Sequence, residues 1–110
     1  MFKVNFIVDE ILFEKRTGVR FNSEKGKFFR RIAINNLNSI HIDSYESSVP
    51  KKELSHRLKG IVSTCGLQDA AYICKKCEQY DGLLKQSRAG EILRHISQKT
   101  IIILQLKESN

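Results

Sequence analysis

The strongest constraint on the fold is a bracketed apolar stripe over residues 50–65. Pro50, the chain's one proline, suits the first turn of a helix, and Gly66 suits the left-handed residue just past a helix end. Ser47-Ser48, ahead of the proline, strengthens the start. At about 100° per residue, Leu54, Leu58, Ile61, Val62 and Cys65 fall on one side. His56, Lys59, Gly60 and Ser63 fall on the other, with Lys52 a turn earlier. A helix with one apolar side must bury it against other elements, so the rest of the chain has to supply matching faces.

It does so in helical periods. Val4, Ile7, Ile11 and Leu12 predict a short helix over 4–16, closed by Thr17-Gly18, with Asn22-Ser23 as cap for the next. Residues 24–44 carry Phe29, Ile32, Ala33, Asn36, Leu37 and Ile40 as a broad stripe. From Leu67, the residues Ala70, Ile73, Cys74, Cys77 and Leu84 form a seam, with Lys75, Lys76, Glu78 and Gln79 off it. Gly82 or Gly90 ends that helix, and the pattern leaves both open. A last helix over about 89–107 carries Ile92, Leu93, Ile96, Ile103 and Leu104. Thr100 to Leu104 is β-branched enough for a strand, but no second strand is there to pair with it. The expectation is an all-α chain: an up-down-up-down four-helix bundle with the first short helix as a lid. At 110 residues, with 41% apolar and 28% charged residues, it reads as one domain over 1–110.

The polar side of the 50–65 helix carries the chemistry. His56 points at solvent, Lys59 at i+3 sets a cation beside it, and Gly60 at i+4 clears space. An exposed imidazole is mostly neutral at pH 7. A lysine about 6 Å away adds roughly 0.7–2.8 kcal/mol of repulsion to the protonated ring, then stabilises a phosphoryl group once one is attached. Lys52 adds a weaker contribution of the same kind. A glycine inside a helix costs about 1 kcal/mol against alanine, and access to His56 is a sufficient reason for Gly60. The arrangement suits a histidine phosphorylated by another protein.

His56-Arg57-Leu58-Lys59-Gly60, then Gly66, then Ala70-Ala71-Tyr72-Ile73-Cys74-Lys75-Lys76-Cys77-Glu78 resembles the histidine-containing phosphotransfer domain of two-component phosphorelays. The family pattern looks like H-x-L-K-G with a glycine six residues later, followed by a helix with A-x-x-I/L-C. The match covers roughly residues 50–80. One departure is plain: the positions after the glycine are usually small, and here they are Ile61 and Val62, which read as altered core packing. The resemblance implies a helical bundle with an exposed phosphoacceptor histidine and no turnover of its own. It implies receiver domains as partners, those of hybrid sensor kinases included, with Mg2+ and the aspartates on the receiver. The implied roles are His56 as phosphoacceptor, Lys59 for phosphate stabilisation and Gly60 for access.

Other signals weigh less. Sensor kinases use a box like H-E-x-[RK]-T-P, but here Arg57 follows His56, Gly60 stands at the threonine, and the chain leaves no room for an ATP-binding domain. Cys74-x-x-Cys77 sits on the apolar seam with no second pair to complete a zinc site, so all three cysteines read as core. His41 and His95 lack a lysine–glycine neighbourhood and read as ordinary surface or boundary residues. Phe28, Phe29 and the other aromatics read as core, not as a base-stacking platform.

The net charge of +7 fits an acidic protein partner, an anionic membrane or nucleic acid, or serves solubility alone. The basic pairs at 15–16, 30–31, 51–52 and 75–76 are scattered, which argues against a nucleic-acid groove. No apolar run approaches the ~18 residues of a membrane span. Asn5, Asp9 and Glu10 interrupt any signal-peptide pattern, and the odd cysteine count points to a reducing compartment, so a cytoplasmic monomer is expected. The alternative is a small basic helical binding protein, either a receiver-binding adaptor without transfer or a nucleic-acid binder.

Overall fold

The computed structural model describes residues 5–109, with side chains through 106. Five helices follow in order: α1 (Glu10–Thr17), α2 (Glu24–Asp43), α3 (Lys51–Thr64), α4 (Gln68–Gln79) and α5 (Gln86–Ser109). Among the described residues no strand forms. Residues 100–104 lie inside α5, where the Thr100 hydroxyl donates to the Ile96 carbonyl at 2.7 Å. The longest axis is 41 Å, close to the ~36 Å that the 24 residues of α5 span at 1.5 Å per residue.

α3 is the hub, touching each of the other four helices. Its Leu54, Leu58 and Val62 are fully buried, as the stripe predicts. Around them pack Ala33, Leu37 and Ile40 of α2, Ala70, Cys74 and Cys77 of α4, and Leu93, Ile96 and Leu104 of α5. α2 meets α5 along its length. Arg30 near its start donates to the Leu104 carbonyl at 3.4 Å, and Ser44 at its end accepts from Arg94 at 3.1 Å.

The link between α3 and α4 is fixed by Gly66. Its φ is +81°, a conformation that a side chain disfavours. Leu67 N–H donates to the Val62 carbonyl at 2.8 Å and Gly66 N–H to that of Ser63 at 3.1 Å, the paired bonds of a Schellman cap. Leu67 and Val62 are both fully buried, which supplies the hydrophobic contact of that cap. An added Cβ at Gly66 would also overlap the Asp9 carbonyl, because Asp9 N–H donates to the Gly66 carbonyl at 3.1 Å.

In several details the helices depart from the apolar periodicity. The first helix starts at Glu10, not near residue 4, because Asp9 caps it by accepting from Leu12 N–H at 2.9 Å. Residues 5–9 run without helix, Val4 lies outside the described residues, and Ile7 and Ile11 are 73% and 82% exposed. Phe13 is the residue α1 buries, with its ring edge-on to Phe21 and Phe29. In α2 the buried stripe is Gly26, Arg30, Ala33, Ile34, Leu37 and Ile40, so Ile32 and Asn36 face outward. Close approach of Gly26 to the Arg20 and Phe21 carbonyls fixes that rotation.

The aromatics are therefore not all core. Phe28 is 66% exposed and Phe29 only half-buried, and Tyr45, Tyr72 and Tyr80 are exposed. Arg30 is inside instead, its guanidinium 4.5 Å over the Phe21 ring. α4 stops at Gln79 and the chain turns at Gly82 (φ +90°), while Gly90 is buried within α5. Leu84 consequently packs on the core from the connecting turn.

The two glycines of the motif should respond oppositely to alanine. Gly66→Ala meets both a positive φ and backbone overlap, so it should destabilise by about 1–3 kcal/mol. A Cβ at Gly60 meets nothing within 4 Å, so Gly60→Ala should be neutral or stabilising by up to about 1 kcal/mol. Urea denaturation of both variants measures the difference.

Candidate functional site

The site lies where the exposed side of α3 faces the last turn of α4. His56 keeps 68% of its side chain exposed, as the periodicity predicts. Lys59 is one turn on, with 31% of its side chain exposed. Gly60 is exposed beside them, with open space where a side chain would stand, so it is not a helix–helix contact. Val62 is buried and Ile61 packs on the core, which places the bulky residues after the glycine away from the histidine. Lys52 is exposed on the same helix. Arg57 reaches Asp43 at 3.2 Å and ties the end of α2 to α3.

By periodicity Glu78 lies off the apolar seam of α4, yet it organises the site. Its Oε1 lies 3.0 Å from His56 Nδ1, and its Oε2 accepts from Lys59 Nζ at 2.7 Å. One carboxylate thus spans the imidazole and the ammonium. The signal was present: Glu78 stands four residues after buried Cys74, at the seam's edge. A tight turn at Gly66 sets the last turn of α4 roughly level with His56.

This pairing changes the electrostatics read from α3 alone. Lys59 does not act on His56 as an uncompensated cation, because Glu78 balances it. The bond from Lys59 holds the Glu78 carboxyl below its ordinary range, desolvation opposes this, and the bond to His56 adds to the lowering. An ionised carboxylate only accepts, so the facing Nδ1 carries the proton. In the neutral ring the lone pair then sits on Nε2, the nitrogen turned away from Glu78. The ring thus offers an open Nε2 lone pair in one tautomer, a turn from Lys59 and next to a glycine with open space beside it.

The cysteines are core residues, as the sequence predicts. Cys65, Cys74 and Cys77 are buried free thiols. Burial pushes Cys65 up to about 11 against the lowering pull of Arg30, and raises Cys74 and Cys77 as well. None is poised as a thiolate ligand or nucleophile at neutral pH. His41 is half-buried with its ring edge-on to Tyr45, and exposed His95 meets Phe6 edge-on.

Comparison of the chain with models of known families, with curated proteins and with solved structures gave no match. The resemblance of residues 50–80 rests on the motif itself.

The depressed Glu78 carboxyl has a signed consequence. A group whose folded pKa is lowered contributes stability above its unfolded pKa, and loses it as pH falls through the folded value. The α3–α4 link at this site should therefore hold at neutral pH and release in acid. In a carboxyl-carbon NMR titration, Glu78 should show a midpoint below that of a peptide glutamate. Lys59→Ala should raise that midpoint more than His56→Gln does. A wild-type midpoint at or above the peptide value would count against the bridge.

Proposed function

We propose that this chain is a phosphorelay carrier that accepts a phosphoryl group on His56 from a receiver-domain aspartate and passes it to another receiver. The observation that carries the reading is the Glu78 bridge. It fixes the Nδ1 proton of an exposed imidazole and leaves Nε2 open beside Lys59 and Gly60. In the transfer, the Nε2 lone pair attacks phosphorus, the P–N bond forms, and the bond to the aspartyl oxygen breaks to release carboxylate. Positive charge develops on the ring while its Nδ1 proton stays toward Glu78, whose negative charge stabilises it. The phosphoryl group grows on the opposite edge, away from that carboxylate.

The receiver contributes the acyl phosphate and the Mg2+, and in-line approach needs room beside His56, which Gly60 leaves. The proposed architecture is the up-down-up-down bundle of α2 to α5, with α1 packed against one end of α3. The short links 65–67 and 80–85 favour it. The setting proposed is the cytoplasm, with the chain a monomer. Among the described residues no helix is long and apolar enough to cross a membrane.

Incubation with phosphorylated receiver domains should yield acid-labile, alkali-stable label on this chain. His56→Gln should abolish the label while changing stability by no more than about 0.5 kcal/mol. Label persisting on that variant, at His41 or His95, would overturn the assignment.

Glu78→Gln should slow acceptance by about 10- to 100-fold, because it removes the charge that faces the developing imidazolium. It should also alter the pH dependence of the rate, which a purely structural loss would leave in place. A wild-type rate and profile in this variant would remove Glu78 from the mechanism.

A further inference from the structure

A second feature adjoins the histidine. Between α1, the second half of α3 and α4 runs an open groove of about 500 Å³. Arg16, Lys59, Lys75 and Lys76 line it, together with Ser63 and Tyr72. Among the described residues, no aspartate or glutamate lines it. Lys59 is paired with Glu78, which does not itself line the groove. Arg16 is held across the groove floor by Ser63, donating to its carbonyl and, at 2.8 Å, to its hydroxyl. Lys76 stands over the rings of Tyr72 and Tyr80 at 5.3 and 5.7 Å. Lys75 is exposed at the rim.

We infer that this groove is the docking surface for an acidic face of the phosphodonor protein. The inference rests on the phosphocarrier reading and adds to it where the partner sits. Arg16, Lys75 and Lys76 present charge of one sign on a lining that, among the described residues, holds no carboxylate, and a complementary acidic surface would relieve their mutual repulsion. The groove is open and begins at Lys59, so a protein seated in it lies against the side of α3 that carries His56. Arg16 comes from α1, outside the motif, and is pre-positioned by its bonds to Ser63, which lowers the ordering cost of contact. Charge at this spot should act mainly on the rate of encounter, with strong dependence on ionic strength.

The test separates docking from chemistry by using two phosphoryl donors. Phosphoramidate is a small molecule that needs no docking surface. Purified receiver domains loaded with acetyl phosphate do need one. Lys75→Glu, and Arg16→Glu combined with Lys75→Glu, should lower the second-order rate of transfer from the receiver by about tenfold or more. The salt dependence of that rate should flatten, and phosphoramidate labelling of His56 should stay within twofold of wild type. Because Lys75 is exposed, the single variant guards against a folding defect from loss of the Arg16–Ser63 bonds. Wild-type transfer by the single and double variants would overturn the docking proposal and leave the phosphocarrier reading intact. Failure of phosphoramidate to label the wild-type chain, or of every receiver to transfer to it, would remove both. A single-stranded oligonucleotide bound tighter than the receiver at 150 mM salt, and released by Lys75→Glu, would assign the groove to nucleic acid and overturn the proposal.

Discussion

The turn at Gly66 is the constraint on which the site depends. Its left-handed backbone lets α3 end in paired bonds back to Val62 and Ser63, and the chain re-enters a helix within a few residues. Its carbonyl accepts from Asp9 N–H, so the same residue anchors the segment that leads into α1. A side chain here would disturb both joints together. Because the turn is short and its conformation fixed, α4 has little freedom in where it lies against α3. The reach from Glu78 to His56 and Lys59 follows from that placement.

The second organising feature is a single carboxylate in a basic chain. With 19 Lys and Arg against 12 Asp and Glu, cations outnumber the carboxylates that could neutralise them. Glu78 meets two candidates at once, and its lowered proton affinity is the consequence. A carboxylate that is only partly exposed is screened less by salt than one at the open surface. It therefore selects a tautomer at a ring that remains accessible. On the neighbouring groove the balance is opposite: among the described residues no carboxylate lines it beside Arg16, Lys75 and Lys76.

Buried polar groups show how the core accommodates what a periodicity analysis assigns to the surface. Ser55, Ser97 and Thr100 return their hydroxyls to carbonyls of their own helices, which removes most of the cost of burial. Arg30 runs inward with its guanidinium over an aromatic face. Lys51, also largely buried, reaches the Glu46 carbonyl at 3.3 Å. Two of the cations in the scattered basic pairs are thus internal, and the exposed positive charge is more local than the sequence suggests.

By itself the sequence determined the all-helical class, the ends of α3, the outward direction of His56 and the burial of the three cysteines. Each follows from local physics: spacing at 3.6 residues per turn, a proline at a helix start and a glycine past its end. It misplaced the start of α1 and the buried side of α2. There, capping by Asp9 and the close contact of Gly26 with the Arg20 and Phe21 carbonyls outweigh apolar spacing, and Phe28 and Ile32 turn outward. Only the tertiary structure brought Glu78 to His56 and Lys59, and gathered Arg16 with Lys75 and Lys76. Residues far apart in the chain become neighbours through helix packing. Periodicity within one helix gives the direction of a side chain and not the identity of what it meets.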